Sequence, residues 1–214
     1  HYKKFIIFTD LDASLLHEET FSCLEIIDVV KSLLADDVLI IPNTSKTEVE
    51  TRNVLESLNL KTPFIVENGA KLCDIHCSFE SIGETDKEFG IAVAELNIRL
   101  KKLNDSSFEN DFQPIKKMKR AAASRILGLI GPQLEQALER RYSLLYQYTG
   151  PKSKIPSWQK ALLKVGLNLS QGGRAFAISG SHDKATPIDW LSKKFVLKGH
   201  KQPKIIAIGD SNND

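Results

Sequence analysis

The sequence predicts an α/β fold, an open parallel-sheet core interrupted by an inserted α+β unit. Three observations predict it: short buried apolar runs at both ends of the chain, helical periodicity following the first of them, and a less regular middle. The core is expected over residues 1–83 and 182–214, and the insert over residues 84–181.

Phe5–Thr9 (FIIFT) is apolar at consecutive positions, as in a parallel strand covered on both faces, and it ends on Asp10-Leu11-Asp12. Leu24, Ile27, Val30 and Leu34 recur at helical spacing and predict an amphipathic helix over 22–34. Val38–Pro42 (VLIIP) is the next buried strand. Asn43-Thr44-Ser45 then supplies N-cap candidates for a helix over about 46–58, with Val54, Leu55 and Leu58 facing the core. Phe64–Glu67 reads as a third strand that turns at Asn68-Gly69. Strand and helix alternate, which predicts an open sheet with right-handed crossovers. In the insert, residues 88–103 read as a helix, and 119–128 and 132–141 as two short helices separated by Gly131-Pro132. Arg174–Ser179 alternates like a strand after the turn Gly172-Gly173. Ile188, Leu191 and Phe195 mark a last helix, and Ile205–Ile208 a last buried strand ending on Gly209-Asp210-Ser211-Asn212-Asn213-Asp214.

Composition bounds the function. With 214 residues, 42% hydrophobic, 12 Gly and 8 Pro, the chain is neither collagen-like nor low-complexity. No apolar stretch approaches the ~18 residues that span a bilayer. The charged start His1–Lys4 leads straight into a strand, so a soluble, cytoplasmic protein with no membrane partner is expected. Three cysteines are too few for a disulfide framework, and reduced thiols are expected. Cys73 and Cys77 with His76 are one ligand short of a zinc site. The formal charge of +2 conceals an asymmetry: residues 84–181 hold 16 Lys+Arg against 9 Asp+Glu, and the flanks are acidic. A basic insert facing acidic flanks suits a small anionic ligand beside a metal-binding carboxylate cluster. The basic stretch Lys116, Lys117, Lys119, Arg120 lacks the interleaved aromatics of an RNA-binding face, so no nucleic acid partner is expected.

Two apolar strands end in carboxylates, Asp10 and Asp12 after the first and Asp210 and Asp214 after the last. In open parallel sheets, functional groups collect at the carboxyl ends of strands, which would bring the four together. Converging carboxylates call for a hard divalent cation with oxygen ligands, and Mg²⁺ is the expected cofactor.

Asp10-Leu11-Asp12-Ala13-Ser14-Leu15-Leu16 resembles the first motif of the haloacid dehalogenase superfamily of phosphatases, and Gly209-Asp210-Ser211-Asn212-Asn213-Asp214 resembles its fourth. Thr44 stands where the second motif places Ser or Thr, and Lys184, in His182-Asp183-Lys184-Ala185, resembles the third-motif lysine. The runs Thr44-Ser45-Lys46-Thr47, Pro63–Ala70 and Gly172-Gly173-Arg174…Asp183-Lys184 are similar to the mannosyl-3-phosphoglycerate phosphatases, as are Leu127-Gly128-Leu129 and the pair Arg140-Arg141. The resemblance spans nearly all of the chain. It implies a Rossmann-type core with an inserted α+β, C2-type cap, Mg²⁺ dependence, and hydrolysis of a small phosphorylated sugar-glycerate.

The residue types suit that chemistry. Asp10 can attack phosphorus and form an aspartyl-phosphate, while Asp12 protonates the leaving oxygen and then activates water. The resemblance puts Mg²⁺ among Asp10, the Asp12 carbonyl and Asp210, with Asp214 as ligand or close support. It puts Thr44, Ser45 and Lys184 on the phosphoryl oxygens. In the insert, Gly172 and Gly173 would let backbone amides approach the substrate, and Arg174 or Arg141 would hold the glycerate carboxylate. Three features depart from the family pattern: Ala13 in place of glycine, Ala185-Thr186-Pro187 after the lysine, and an end at Asp214 where relatives continue. The alternatives are another sugar phosphate, such as glucosyl-3-phosphoglycerate or sucrose phosphate, or a shortened, inactive binding protein that kept the fold.

Overall fold

The computed structural model describes residues 5–12, 27–36, 38–103, 105–197 and 203–209. The expected helix positions 22–26, Ala13 and the expected metal ligands Asp210 and Asp214 lie outside the described residues. In chain order the elements are β1 (Phe5–Thr9), α1 (Ile27–Ala35), β2 (Val38–Pro42), α2 (Glu48–Ser57), β3 (Phe64–Val66), β4 (Lys71–Cys73), β5 (Lys87–Glu88), α3 (Val93–Lys101) and α4 (Ser107–Asp111). They continue as β6 (Phe112–Pro114), α5 (Arg120–Leu127), α6 (Gly131–Leu138), β7 (Ser143–Tyr148), α7 (Ile155–Lys164), β8 (Asn168–Gln171), β9 (Phe176–Ser179), α8 (Ala185–Leu197) and β10 (Lys204–Ile208). None of the helices among the described residues is long and apolar enough to cross a membrane.

The chain divides into two compact units, one holding residues up to Phe89 and from His182 onward, the other holding Gly90–Ser181. The second begins at Gly90 rather than at residue 84 because β5 pairs antiparallel with β4 and the Phe89 amide donates to the Ala70 carbonyl at 2.8 Å.

In the first unit, β1 lies between β10 and β2 in a parallel sheet, with Thr9 opposite both Ile208 and Pro42. Ile6, Phe8, Leu39 and Ile41 pack with Leu191 of α8 on one face, and Ile7 and Ile40 pack with Val30, Leu33, Leu34 and Val54 on the other. Both faces are covered, which is why FIIFT and VLIIP show no polar alternation. β3 touches β2 through a single parallel bridge, Asn43 to Ile65, and pairs antiparallel with β4. Glu67, Asn68 and Gly69 at φ 46°, 57° and 92° reverse the chain at once, at the turn expected there, and make a β3–β4 hairpin. Lys71 of β4 ties that hairpin to α2, pairing with Glu48 at 2.9 Å as well as with Asp86 at 2.8 Å. Helix α2 also starts later than expected. Its N-cap is Thr47, whose hydroxyl accepts from the Glu50 amide while the Glu50 carboxylate accepts from the Thr47 amide.

The second unit is a four-stranded antiparallel sheet in the order β6-β7-β9-β8. Leu144, Tyr146, Phe112 and Ile178 pack with Leu96 of α3 and with Trp158 and Leu162 of α7. Leu145 and Ala175 pack instead with the cluster of α5 and α6, around Ala123, Leu134 and Leu138. Gly131 and Pro132 do not separate those two helices: they form the first turn of α6, where proline is tolerated. The buried Asp111 carboxylate accepts the Trp158 indole N–H at 2.8 Å and faces the Lys154 ammonium at 3.4 Å. Trp158→Phe removes that donor from a buried acceptor and is expected to lower unfolding stability by ~1–3 kcal/mol. Urea denaturation checks it, and an unchanged midpoint would contradict the importance of the bond.

Candidate active site

Three loops at the carboxyl ends of β1, β2 and β3 meet the start of α8, and each is fixed by a backbone bond. The Asp10 amide donates to the Ile208 carbonyl at 3.1 Å, the Asn43 amide to the Thr9 carbonyl at 2.8 Å, and the Thr44 amide to the Ile65 carbonyl at 3.0 Å. The Asn68 amide returns to the Thr44 carbonyl at 3.0 Å, so Thr44, fully buried, is clamped between β2 and the β3 turn. The segment carrying Lys184 is held from two sides. The Asn43 side-chain amide donates to the Lys184 carbonyl at 2.9 Å, and Gly69 lies so close that a Cβ there would stand 1.8 Å from the Asp183 carbonyl oxygen.

Asp183 also explains the unusual run after the lysine. Its carboxylate accepts from the Thr186 amide at 2.9 Å and from the Thr186 hydroxyl at 2.8 Å, capping α8. Pro187 falls in the first turn, where its missing N–H leaves no hydrogen bond unmade. The sequence Asp183-Lys184-Ala185-Thr186-Pro187 thus builds a stiff helix start that presents the lysine.

The charges form two pairs. Lys184 Nζ lies 2.8 Å from Asp10 Oδ2, with side-chain exposures of 6% and 12%, while Asp10 Oδ1 accepts the Leu11 amide at 2.6 Å. Lys46 Nζ lies 3.0 Å from Asp12 Oδ1, and the Asp12 side chain is 40% exposed. One aspartate is enclosed and locked, and the other meets water. Nearby, burial pushes the His182 imidazole below its ordinary range, against the opposing pull of the Glu67 backbone and of the Glu67 and Asp183 charges.

Of the residues expected from the sequence, Asp10, Asp12, Thr44, Ser45 and Lys184 lie in the first unit, and Arg141, Gly172, Gly173 and Arg174 in the second. The Gly172 amide donates to the Ala175 carbonyl at 2.9 Å, closing the β8–β9 turn, so it is not presented to a ligand as expected. Arg174 Nη1 donates to the Leu127 carbonyl at 2.6 Å at the end of α5. The sequence alone assigns Lys46, Asn43 and Gly69 no place in the site. The signal for Lys46 was its place two residues after Thr44, and the signal for Gly69 was a glycine closing a polar turn.

The carboxylate oxygens of Asp10 and Asp12 are hard donors of the kind that a divalent cation takes. The bond from the Asp10 amide to Ile208 joins the ends of two parallel strands, one leading into Asp10 and the other, two residues past Ile208, into Asp210. Among the described residues alone, no group of three His, Cys, Asp or Glu side chains could hold a metal.

The family profile of haloacid dehalogenase-like hydrolases matches residues 7–83. A mannosyl-3-phosphoglycerate phosphatase of Pyrococcus furiosus is 28% identical over 98% of this chain and 85% of its own length. A glucosyl-3-phosphoglycerate/mannosyl-3-phosphoglycerate phosphatase of Persephonella marina is 27% identical over 98% of this chain and 79% of its own. Among solved structures, a haloacid dehalogenase-like hydrolase from B. subtilis superposes with a TM-score of 0.65 at 18% identity, covering 98% of this chain and 84% of that one. The sucrose-phosphatase of Synechocystis superposes with a TM-score of 0.62 at 13% identity, covering all of this chain and 78% of that one.

Proposed function

We propose that this chain is a phosphoric monoester hydrolase of the haloacid dehalogenase-like kind that acts on mannosyl-3-phosphoglycerate and releases mannosylglycerate and phosphate. The observation that carries the reading is the pair of aspartates two residues apart, each beside its own lysine at 2.8 Å and 3.0 Å.

Asp10 is the nucleophile. Its carboxylate is aimed by the Leu11 amide and by Lys184, and attack on phosphorus forms an aspartyl-phosphate, which splits the hydrolysis into two displacements. Lys184 then passes from the carboxylate to the phosphoryl oxygens, where the negative charge develops. The Thr44 hydroxyl, with Ser45 beside it, offers donors to the same oxygens. Asp12 gives a proton to the leaving alcohol and takes one from the attacking water; its exposure lets it exchange protons with solvent. Mg²⁺ would be held by Asp10, the Asp12 carbonyl, Asp210 and Asp214, and it would offset the charge of the bound phosphate. In the second unit, Arg174 or Arg141 is the arginine proposed for the glycerate carboxylate, with the Gly172-Gly173 turn beside the substrate.

The test is phosphate release from mannosyl-3-phosphoglycerate, glucosyl-3-phosphoglycerate, sucrose 6-phosphate and an aryl phosphate, with Mg²⁺ and with chelator. Chelator-sensitive turnover that is fastest on the first is expected. Preference for glucosyl-3-phosphoglycerate would move the substrate assignment without touching the chemistry, and silence on the whole panel would overturn the phosphatase reading.

A further inference from the structure

We infer that Lys46 is a positioning residue for the acid–base group, holding the Asp12 carboxylate toward the leaving oxygen of the substrate. The inference rests on the phosphatase reading and adds to it a residue with no assigned role.

Asp12 follows a buried strand, and its side chain is 40% exposed, whereas the oxygen that faces Lys46, Oδ1, is buried. A carboxylate in that position rotates among its staggered states and is repelled by a phosphate dianion arriving at Asp10. A cation 3.0 Å from one oxygen removes both problems: it selects one rotamer and compensates the repulsion. The cation must itself be fixed, and Lys46 is. Its amide donates to Thr44 Oγ1 at 3.2 Å, its carbonyl accepts the Glu67 amide at 2.9 Å, and its side chain is 15% exposed. The same two loops that clamp Thr44 therefore clamp the backbone from which the ammonium reaches Asp12. Lys184 does not duplicate this, because it is engaged with Asp10 at 2.8 Å. With one lysine to each aspartate, the nucleophile can surrender its partner to the phosphoryl group while the acid keeps its own.

Proton donation matters in proportion to how poor the leaving group is. An alkoxide needs the proton, whereas 4-nitrophenolate leaves without it. The measurement is kcat/KM, which stops at the step that expels the leaving group, for glycerol 2-phosphate and for 4-nitrophenyl phosphate. In Lys46→Met, kcat/KM on the alkyl ester is expected to fall by about 10²-fold, the size of a general acid's contribution, while that on the aryl ester stays within about threefold of wild type. Lys46→Arg is expected to recover part of the alkyl activity. Parallel loss on both esters, or loss on neither, would overturn the inference. So would a loss confined to carboxylate-bearing esters, which would make Lys46 a substrate contact. A wild-type enzyme silent on every ester would fail the phosphatase reading instead. In that event the crystal structure of Lys46→Met decides: Asp12 displaced from its wild-type rotamer supports the positioning role, and Asp12 unmoved overturns it.

Discussion

Asp10→Asn is expected to lower phosphate release by at least about 10³-fold, the scale on which loss of a covalent nucleophile is felt, while the protein still folds. The substitution keeps the volume of the side chain, and the remaining oxygen can still accept the Leu11 amide now bonded at 2.6 Å. What disappears is the negative charge that both attacks phosphorus and faces Lys184 at 2.8 Å. Because Lys184 is only 6% exposed, the loss removes one charge of a buried ion pair, and some destabilisation accompanies the loss of rate. The two effects separate in the double variant Asp10→Asn/Lys184→Met, which removes both members of the ion pair: stability is expected to recover in part and turnover is not. Phosphate release together with thermal unfolding of both variants checks this. An Asp10→Asn protein with the wild-type rate would remove the nucleophile from the mechanism, whatever the family resemblance implies.

The parallel core could be read from sequence because burial on both faces leaves a mark. Five consecutive apolar or small residues ending on Asp-Leu-Asp describe a strand that lies inside a sheet and delivers charge to its edge. The partner of that charge could not be read in the same way. Asp10 and Lys184 are 174 positions apart, and nothing local to either one specifies a 2.8 Å contact. Motif order supplied Lys184, but Lys46 lay in plain view within a quoted motif and received no role, since its target is set by how two loops pack. Local signals were also misassigned. Thr47 and Glu50 form the T-x-x-E capping box, yet the cap was sought at 43–45, so Thr44 was weighed as a helix cap when its backbone in fact bridges β2 and the β3 turn. In the second unit, β7 is legible only in the alternation of Leu144 and Tyr146 with Leu145 and Gln147. The apolar spacing before it was extended as a helix to residue 141, whereas α6 ends at Leu138. Strands β6 and β8, three and four residues long, are too short for periodicity to identify.

Gly69→Ala is expected to damage stability and rate together, and a second glycine shows why. Gly69 sits at φ +92°, and an added Cβ would lie 1.8 Å from the Asp183 oxygen and 2.4 Å from its carbonyl carbon, both backbone atoms with no rotamer to yield. Gly83 has a comparable φ of +76° but no atom within 4 Å of the same Cβ position. Gly83→Ala therefore carries the backbone penalty alone, about 1–2 kcal/mol. Gly69→Ala adds forced displacement of a packed segment, about 1–3 kcal/mol more, and at roughly 2–4 °C per kcal/mol for a chain of this size the extra loss of melting temperature is some 2–12 °C. The displaced segment is the one that carries Lys184 and caps α8, so the ammonium is drawn away from Asp10 and the bond from Asn43 to the Lys184 carbonyl lengthens. At temperatures where both variants are folded, Gly83→Ala is expected to keep its rate and Gly69→Ala to lose about tenfold or more, since displacements near 1 Å at a reacting group cost up to 10²-fold. Equal melting temperatures and equal rates for the two variants would mean that the approach of the β3 turn to Asp183 is not what positions the lysine.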